Sequence, residues 1–312
     1  MVTSSTTITL TAEVPKPKVV STSLNYYLDP SKGGHTSYQI GVSDYYRRKF
    51  DPHTVEIQDI RGQEDQFKLD LHGFQHVKHA SAEKDFNDKD EIKGTVYPET
   101  AQLIKNVTGA TRVHVFSHIT RKDSREEAER SVREDAAMQD GNAPTTKVVP
   151  ARFIHVDFSE TGSEQILRDN FDHEEGEKLT KTRWAIINVW RPIKPVSKDP
   201  LAICDARTAR DEDLMPVVSY LPPKGSGQYA DVSGGEHFEL YYKRFCPDEQ
   251  WYFADRMEPK EVLMIKIYDS LRDGKTARRC PHTAFTNAST EADATRESIE
   301  VRCLVFFEDQ KM

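Results

Sequence analysis

The amino-acid sequence predicts a mainly β protein with flanking helices, folded as a double-stranded β-helix (jelly roll). Short apolar runs follow one another from residue 150 onward, and one helical segment, 163–171, interrupts them. The runs are separated by loops rich in proline and glycine, at 191–200 and 221–235. Many short strands joined by such loops are typical of two-sheet sandwiches and barrels.

The individual strands follow from runs of β-branched and aromatic residues or from apolar alternation. We predict them at 111–119, 151–158, 183–190, 237–245, 251–255, 261–268 and 297–307. The stretch 53–79 alternates as well, which predicts a β-hairpin with its turn at 61–63 and a second strand through Phe67, Leu69 and Leu71.

The remaining segments are predicted to be helical or irregular. Residues 1–18 form a tail or an edge strand, and the charged residues 80–95 form a solvated connector. A proline near the start suits the first turn of a helix over 98–106. The highly charged segment 122–140 is predicted to be a helical or mobile surface segment. Whether 122–145 forms a lid stays open, because long polar insertions often cover sites.

The 312 residues are predicted to form a single domain, with 1–149 as an N-terminal elaboration and 150–308 as the jelly-roll core. Hydrophobic residues make up 37% and charged residues 30%, which suits a globular chain rather than a disordered or membrane protein. No run approaches the roughly 18 apolar residues of a spanning helix, and the N-terminus lacks the basic-then-apolar pattern of a secretory signal. We therefore expect a cytoplasmic protein without a membrane partner.

The net charge and the cysteine spacing argue against a nucleic-acid-binding protein and against a disulfide-bonded one. The net charge of −8, from 43 basic and 51 acidic residues, argues against nucleic-acid binding, which needs a basic surface. None of the four cysteines, Cys204, Cys246, Cys280 and Cys303, is spaced as C-x-x-C, so we expect them to be reduced and to pack in the interior. A homo-oligomer is compatible with the sequence.

Three histidines are followed two positions later by an acidic residue, in the pairs His155–Asp157, His173–Glu175 and His237–Glu239. On a strand, residues i and i+2 point to the same face, so each pair could present two ligands to a metal. His155 and Asp157 lie among apolar residues, where an unpaired carboxylate is costly to bury. His173 lies in a charged run and is expected to be solvated, whereas His237 begins a predicted strand and belongs to a rival pair. An ordinary His–Asp hydrogen bond is the alternative to a metal role.

Two histidines and one carboxylate with open positions form the facial triad typical of non-haem iron(II). A third ligand must come from a distant strand, and His282 is the candidate. Fourteen residues later, Arg296 and Ser298 open the final predicted strand. Arginine offers a bidentate fork to the distal carboxylate of an acidic co-substrate such as 2-oxoglutarate, and Ser298 would face the same way. The alternative for Arg296 is a surface arginine beside the acidic residues of 291–297.

Several short blocks of the sequence together match the pattern of a known protein family. The two most specific blocks are Asn-Val-Trp-Arg-Pro at 188–192 and Arg-Glu-Ser-Ile-Glu-Val-Arg at 296–302. The pattern also includes 184–193, 200–205, 251–253, 263–270 and 281–285, and upstream His118 with Arg121 at a strand end. Over about residues 150–308 the chain thereby resembles the fungal hydroxylase/desaturase family that includes gibberellin desaturase-like and cephamycin methoxylase-associated proteins. This family lies within the non-haem Fe(II)/2-oxoglutarate-dependent dioxygenases.

The resemblance implies an oxidoreductase that uses Fe(II), 2-oxoglutarate and dioxygen, and that works through a ferryl-oxo species. The implied metal ligands are His155, Asp157 and His282, and the implied co-substrate residues are Arg296 and Ser298. This choice disfavours His237 and Glu239. The implied substrate is a small natural product of secondary metabolism, and hydroxylation, desaturation and ring closure all stay open.

Three residues are weaker candidates for the substrate side. Asn188 and Arg191 belong to the block at 188–192, one of the two most specific matching blocks. Both would lie near the pocket, although Arg191 could instead cap a loop. Trp251 is one of several aromatic residues that could line the pocket or belong to the core.

Two other functions stay open at this point. A cupin-like oxygenase or isomerase would use the same metal without 2-oxoglutarate, but Arg296 and Ser298 speak against it. A non-enzymatic jelly-roll binding protein would use the same histidines and aspartate structurally, and would bind no stoichiometric iron. A zinc hydrolase is a weaker alternative, since no nucleophile or general-base motif supports it.

Overall fold

The computed structural model describes residues 18–311, so the segment predicted over 1–18 lies, apart from its last residue, outside the described part. The strands are β1 (Val19–Tyr26), β2 (Ser37–Gln39), β3 (Asp51–Asp59), β4 (Phe74–Lys78), β5 (Arg112–Arg121), β6 (His155–Val156), β7 (Thr182–Pro192), β8 (Leu201–Cys204), β9 (Leu214–Tyr220), β10 (His237–Lys243), β11 (Trp251–Phe253), β12 (Glu261–Asp269), β13 (His282–Ala284) and β14 (Ser298–Lys311). They form two sheets, a nine-stranded one in the order β1-β3-β11-β8-β13-β6-β10-β9-β2 and a five-stranded one in the order β4-β12-β7-β14-β5.

The α-helices are α1 (Leu69–His72), α2 (Lys89–Glu91), α3 (Tyr97–Thr108), α4 (Arg125–Glu134), α5 (Glu160–Asn170) and α6 (His173–Leu179). A π-helical turn over Ile92–Val96 joins α2 to α3. Short 3₁₀ turns lie at Pro30–Lys32, Ser43–Arg47, Glu64–Gln66, Ala136–Met138, Asp211–Asp213 and Gln228–Asp231. None of the helices within residues 18–311 is long and apolar enough to cross a bilayer. The helices predicted over 98–106 and 163–171 are confirmed with small shifts at their ends, and α4 confirms the helical alternative for 122–140.

Strands from before residue 150 lie at the edges of both sheets. β1 and β3 extend one edge of the larger sheet, and β2 lies at its other edge. In the smaller sheet β4 and β5 form the two edges. Strands β6 to β14 therefore form the middle of both sheets, where the site is built.

The smaller sheet is buried on both faces. On β7, Ile186 and Trp190 belong to the core between the two sheets, whereas Ile187 and Val189 belong to a second core under α3. A strand covered on both sides needs apolar residues in both directions, so its sequence is a nearly continuous apolar run. This explains why 183–190, 261–268 and 297–307 are apolar without clean alternation, and these strand predictions are confirmed together with the mainly β fold class.

The hairpin predicted over 53–79 is wrong. The first run forms β3, which pairs with β1 and β11, but β4 pairs with β12 in the other sheet. Leu69 and Leu71 lie in the short helix α1, which ends at Gly73 with a φ of 81°. Leu69 is buried and Leu71 is exposed, so the alternation of this stretch comes from one helical turn on the surface.

The predicted strand 151–158 is shorter than expected. Its ladder is limited to His155 and Val156, which pair with β10 on one side, while His155 alone pairs with β13 on the other. The flanking residues are buried but irregular. All four cysteines are buried and free, as predicted.

An ion pair between a half-buried arginine and a buried glutamate connects the two sheets at the start of β12. Arg61, which follows β3, donates from Nη2 to Oε2 of Glu261 over 3.0 Å, and His76 of β4 lies 3.1 Å from Oε1. Burial raises the pKa of Glu261, but the hydrogen bond from Arg61 outweighs it, and the pKa is lowered from 4.5 to about 2.

We expect Glu261→Gln to lower the free energy of unfolding at pH 7 by about 2 kcal/mol, because it removes the bidentate partner of Arg61 and leaves only Glu64, 3.6 Å away. A carboxyl group with a depressed pKa in the folded state stabilises the fold above its unfolded pKa of about 4.5, and this contribution is lost as the pH falls towards 2. The difference between wild type and variant should therefore shrink over that window in urea unfolding. Glu258→Gln, at an exposed glutamate of the same turn, is the control. A pH-independent difference would contradict the assignment.

Candidate metal centre

His155 and His282 face each other across two neighbouring strands in the middle of the larger sheet. They are directly opposed in the antiparallel register of β6 and β13, and their ring centroids are 4.6 Å apart. Both side chains are buried. Residues separated by 127 positions in sequence are thus brought together by one backbone pairing.

The hydrogen bonds of both rings fix their tautomers. His155 Nδ1 lies 2.8 Å from the carbonyl oxygen of Phe153, and His282 Nδ1 lies 3.0 Å from that of Cys280. A carbonyl oxygen can only accept, so each ring carries a proton on Nδ1. In the neutral rings, the lone pairs of both Nε2 atoms are therefore free. Burial lowers the pKa of His155, which favours this neutral form.

The two Nε2 atoms converge on one oxygen of Asp157. Oδ1 of Asp157 lies 3.2 Å from Nε2 of His155 and 3.7 Å from Nε2 of His282. Nε2 of His282 is buried and has no hydrogen-bond partner among the described residues. Burial lowers the pKa of His282, but the neighbouring carboxylate of Asp157 outweighs it and the pKa is raised. With both rings neutral, three atoms with lone pairs would meet here, and such a donor set suits a divalent cation.

The other oxygen of Asp157 is held by the opposite sheet. Asn188 Nδ2 of β7 donates to Oδ2 over 2.7 Å, and Arg302 Nε of β14 donates to the same atom over 3.1 Å. Asn188 and Arg302 are opposed in the register of these two strands. Burial raises the pKa of Asp157, but Arg302 and the two histidines hold it well below its usual range. The carboxylate is therefore ionised and fixed in orientation.

Arg296 and Ser298 form a second set of buried polar groups at the start of β14. Arg296 Nη1 donates to the carbonyl oxygen of Asp199 over 2.7 Å, and the guanidinium lies 5.5 Å from the ring centre of Trp190. Within residues 18–311, Arg296 Nε and Ser298 Oγ are both buried without a hydrogen-bond partner. Burial lowers the pKa of Arg296 to about 10. A buried cation beside an unused hydroxyl suits a carboxylate ligand.

A small cavity of about 40 Å³ reaches the metal-ligand candidates from the side of β2 and β10. Its wall includes His155, Asp157 and the side chain of Arg121. A larger groove of about 730 Å³ continues towards the surface and shares Tyr45 and Tyr229 with the cavity. The groove is the route by which a small molecule would reach the three residues.

The rival pairs are not assembled into a similar cluster. His237 and His173 are exposed. Glu239 accepts a hydrogen bond from Ser159 Oγ over 2.6 Å. Among the described residues, the second group close enough to share a metal is Asp213, Cys246 and Glu249. That group already surrounds the ammonium of Lys243, which lies 3.4 Å from Asp213 and also pairs with Glu249.

Two of the three weaker substrate-side candidates lie away from the cavity, and both match the alternative roles given to them above, a loop contact for Arg191 and a core position for Trp251. Arg191 is on the face of β7 opposite to Asn188, and its Nη2 lies 2.7 Å from His79 Nδ1. Its Nη1 donates to the carbonyl oxygen of Pro259 over 3.1 Å, so Arg191 ties a loop to the sheet. Trp251 packs in a third core on the outer side of the larger sheet and donates to Tyr26 Oη over 3.1 Å.

The sequence pattern did not indicate that Arg302 orients the carboxylate of Asp157. A detectable pattern exists: Ser298, Glu300 and Arg302 alternate with apolar residues in an otherwise buried strand, so they share one face. That face points into the interior, where Arg302 bonds to Asp157 and lies 2.7 Å from Glu300.

A family model described as an oxidoreductase/YMDC permease-like domain matches residues 24–306. The chain is 37% identical over 306 residues to the hydroxylase/desaturase CTB9 of Cercospora beticola, an alignment that covers 96% of this chain and 90% of that protein. It is 39% identical over 304 residues to the hydroxylase/desaturase efuI of Hormonema carpetanum, with 97% and 99% covered. The chain belongs to the fungal hydroxylase/desaturase family.

A solved structure supports the membership in this hydroxylase/desaturase family. The iron and alpha-ketoglutarate-dependent endoperoxidase NvfI superposes with a TM-score of 0.73 at 27% identity, covering 94% of this chain and 99% of that one. The predicted enzyme class, an Fe(II)/2-oxoglutarate-dependent dioxygenase of fungal secondary metabolism, is confirmed by these relatives, as is the jelly-roll fold.

Proposed function

We propose that His155, Asp157 and His282 bind the iron(II), that Arg296 and Ser298 bind the distal carboxylate of 2-oxoglutarate, and that the enzyme hydroxylates or desaturates a small natural product. The observation that carries this proposal is the convergence of two Nε2 atoms on one oxygen of Asp157, with both Nδ1 atoms held by carbonyl groups. A structural His–Asp pair would need one hydrogen bond, not two rings aimed at the same oxygen.

The chain's own residues prepare the metal position. Asn188 and Arg302 hold Oδ2 of Asp157, which leaves Oδ1 to bind the metal. The carbonyl groups of Phe153 and Cys280 hold the two rings in the ligand tautomer. The iron would supply the oxidation chemistry, by using 2-oxoglutarate and dioxygen to activate a substrate C–H bond.

Arg296 is suited to the co-substrate because it is charged, buried and without a carboxylate partner among residues 18–311. A guanidinium binds a carboxylate through two parallel hydrogen bonds, and in a desolvated site such bonds are stronger than at the surface. Ser298, two residues further along the chain, is the first residue of β14, and its buried hydroxyl has no hydrogen-bond partner among residues 18–311. Together they select a ligand whose acid group lies at a fixed distance from the metal.

The groove that leads to the site supports an apolar substrate. Ile40, Val42 and Val148 are among its lining residues, with prolines at 144, 222 and 223. Part of the segment considered as a lid, 142–145, contributes to this wall, whereas α4 does not. The names of the relatives, hydroxylases/desaturases and an endoperoxidase, describe oxidations of small molecules by those proteins and support the same class here.

Anaerobic visible absorption tests the proposal. Iron(II) is added to the protein, and 2-oxoglutarate follows. We expect a weak charge-transfer band that requires both additions and that is absent from His282→Ala. His237→Ala is the matched control, because it removes an exposed histidine of the rival pair. A band that persists in His282→Ala would remove this residue from the ligand set. If iron binds but 2-oxoglutarate changes nothing, a metal enzyme of the cupin-like type replaces the proposal.

Asn188→Ala is expected to weaken iron(II) binding by a factor of about 10 to 100, the usual range for a lost partner of a metal ligand. The substitution removes the 2.7 Å hydrogen bond that helps to orient Asp157. Competition with a chelator under anaerobic conditions measures the affinity. Asn170→Ala, at an asparagine that bonds the Ile166 carbonyl at the end of α5, is the control. Equal affinities of wild type and Asn188→Ala would show that Arg302 alone orients the carboxylate.

A further inference from the structure

Two more arginines, Arg48 and Arg121, are buried beside the cavity that reaches the metal position. They are 8% and 7% exposed. Among residues 18–311, neither has a carboxylate oxygen within 4 Å of its guanidinium nitrogens. Burying a charge without a partner is costly, so an unpaired buried arginine indicates a missing anion.

Arg121, at the end of β5, forms part of the cavity wall together with His155 and Asp157. Its Nη1 donates to Tyr229 Oη over 2.8 Å and to the carbonyl oxygen of Val149 over 3.2 Å. Both acceptors are neutral in the range where enzymes work, since burial raises the pKa of Tyr229. The acceptors hold the guanidinium in place without neutralising it. The carboxylates that act on its charge from further away, Glu300 and Asp157, are already paired with Arg302.

Arg48 lies behind the aromatic part of the same wall. Its guanidinium carbon is 4.1 Å from the ring centre of Tyr38 and 4.0 Å from that of Tyr45, and both rings line the cavity. Nε donates to the carbonyl oxygen of Tyr45 over 2.9 Å, and Nη1 donates to Tyr242 Oη. Nη2 is buried and has no hydrogen-bond partner among the described residues. Contacts with aromatic faces attract a cation without neutralising it.

The charges around the cavity and the co-substrate position do not balance. Four buried arginines surround them, Arg48, Arg121, Arg296 and Arg302, against two buried carboxylates. These carboxylates, Asp157 and Glu300, both form ion pairs with Arg302. The next charged groups outward pair among themselves, namely Arg152 and Lys198 with Asp199 and Glu126. Iron(II) and 2-oxoglutarate carry equal and opposite charges, so their binding leaves the positive surplus unchanged.

We propose that the substrate is a carboxylic acid, whose carboxylate is bound by Arg121 with the charge of Arg48 behind the tyrosine wall. The inference rests on the proposed function, since iron and 2-oxoglutarate enter the charge balance. The carboxylate replaces the missing anion, while the carbon skeleton occupies the apolar groove. Arg121 is then a specificity-determining residue, and Arg48 supports it through the field of its charge.

The test uses the enzyme loaded with iron(II) and 2-oxoglutarate under anaerobic conditions, so that no turnover occurs. Straight-chain carboxylic acids of about four to twelve carbons are titrated by calorimetry, each against its primary amide, which has nearly the same shape without the charge. We expect the best acid to bind about 30-fold or more tightly than its amide, the ratio expected for a buried charge pair. Arg121→Gln should remove this preference, Arg48→Gln should reduce it, and Arg121→Lys should restore part of it.

The control is Arg125→Gln, at a buried arginine whose Nε instead pairs with Glu129 over 2.7 Å. This variant should keep the wild-type preference for acids. The proposal is overturned if acids and amides bind equally, if neither binds, or if Arg121→Gln retains the preference. The charge-transfer band, recorded on the same samples, reports separately on iron and 2-oxoglutarate, so a failure of the proposed function is recognised by the loss of the band.

Discussion

His282→Ala is expected to lower turnover by about three orders of magnitude or more and to leave the protein folded. The variant loses the one candidate ligand contributed by β13, and with it the open-sided geometry that a facial triad requires. A bound metal contributes several kcal/mol to transition-state stabilisation, and about 4 kcal/mol corresponds to a thousandfold rate change.

The fold should survive because His282 makes few bonds that the protein itself needs. Its Nε2 has no hydrogen-bond partner among the described residues, and its Nδ1 donates to one backbone carbonyl group. We expect a loss of about 1–3 kcal/mol in the free energy of unfolding, within the reserve of an ordinary domain. Thermal unfolding and 2-oxoglutarate consumption, measured on the same preparation, distinguish the two effects. Near-normal turnover in His282→Ala, with His237→Ala as the reference, would exclude His282 as a ligand.

Arg296→Gln is expected to raise the KM for 2-oxoglutarate by about 100-fold, with a smaller effect on kcat. Removing one member of a buried, hydrogen-bonded charge pair weakens binding by about 2–5 kcal/mol, which spans this factor. Arg296→Lys keeps the charge but loses the planar fork, so its KM should lie between those of wild type and Arg296→Gln.

Arg296→Gln should have little effect on the stability of the protein without ligand. Arg296 is a buried cation with no carboxylate partner among residues 18–311, so Arg296→Gln removes an uncompensated charge. The free energy of unfolding should therefore fall little, if at all, while the added stability that 2-oxoglutarate gives to the iron-loaded wild type should disappear. An unchanged KM would move the role to another arginine, and Arg302 would be the next to replace.

The clustering of the candidate residues was predictable where those residues are close in sequence. His155 and Asp157 are two positions apart, and Arg296 and Ser298 are also two positions apart, so strand periodicity places each pair on one face. The link between His155 and His282 depends on strand pairing across much of the chain, and the sequence pattern alone does not encode it. The matching blocks of the family made that link, and the structure shows the pairing behind it.

The positions of Arg191 and Trp251 away from the cavity have a common physical origin, which is the number of packed layers. Arg191 and Trp251 were assigned to the substrate side because they are polar or aromatic residues within matching blocks, but each faces an outer core rather than the cavity. A strand that is covered on both faces contributes side chains to two separate cores. The alternation of its side chains does not show which of the two cores contains the site. Asn188 and Arg191 are three positions apart and consequently point in opposite directions.

Strand β14 determines when during synthesis the enzyme can become active. It lies between β5 and β7 in the smaller sheet, yet it follows both of them in the chain. Until residues 298–311 leave the ribosome, β5 has no partner in its sheet, and β7 has an unpaired edge. Arg302, which holds Asp157 from 145 positions away, arrives with the same strand. The nascent chain therefore passes through a long interval in which it is prone to aggregation, and iron binding becomes a reporter of completed folding rather than of local structure.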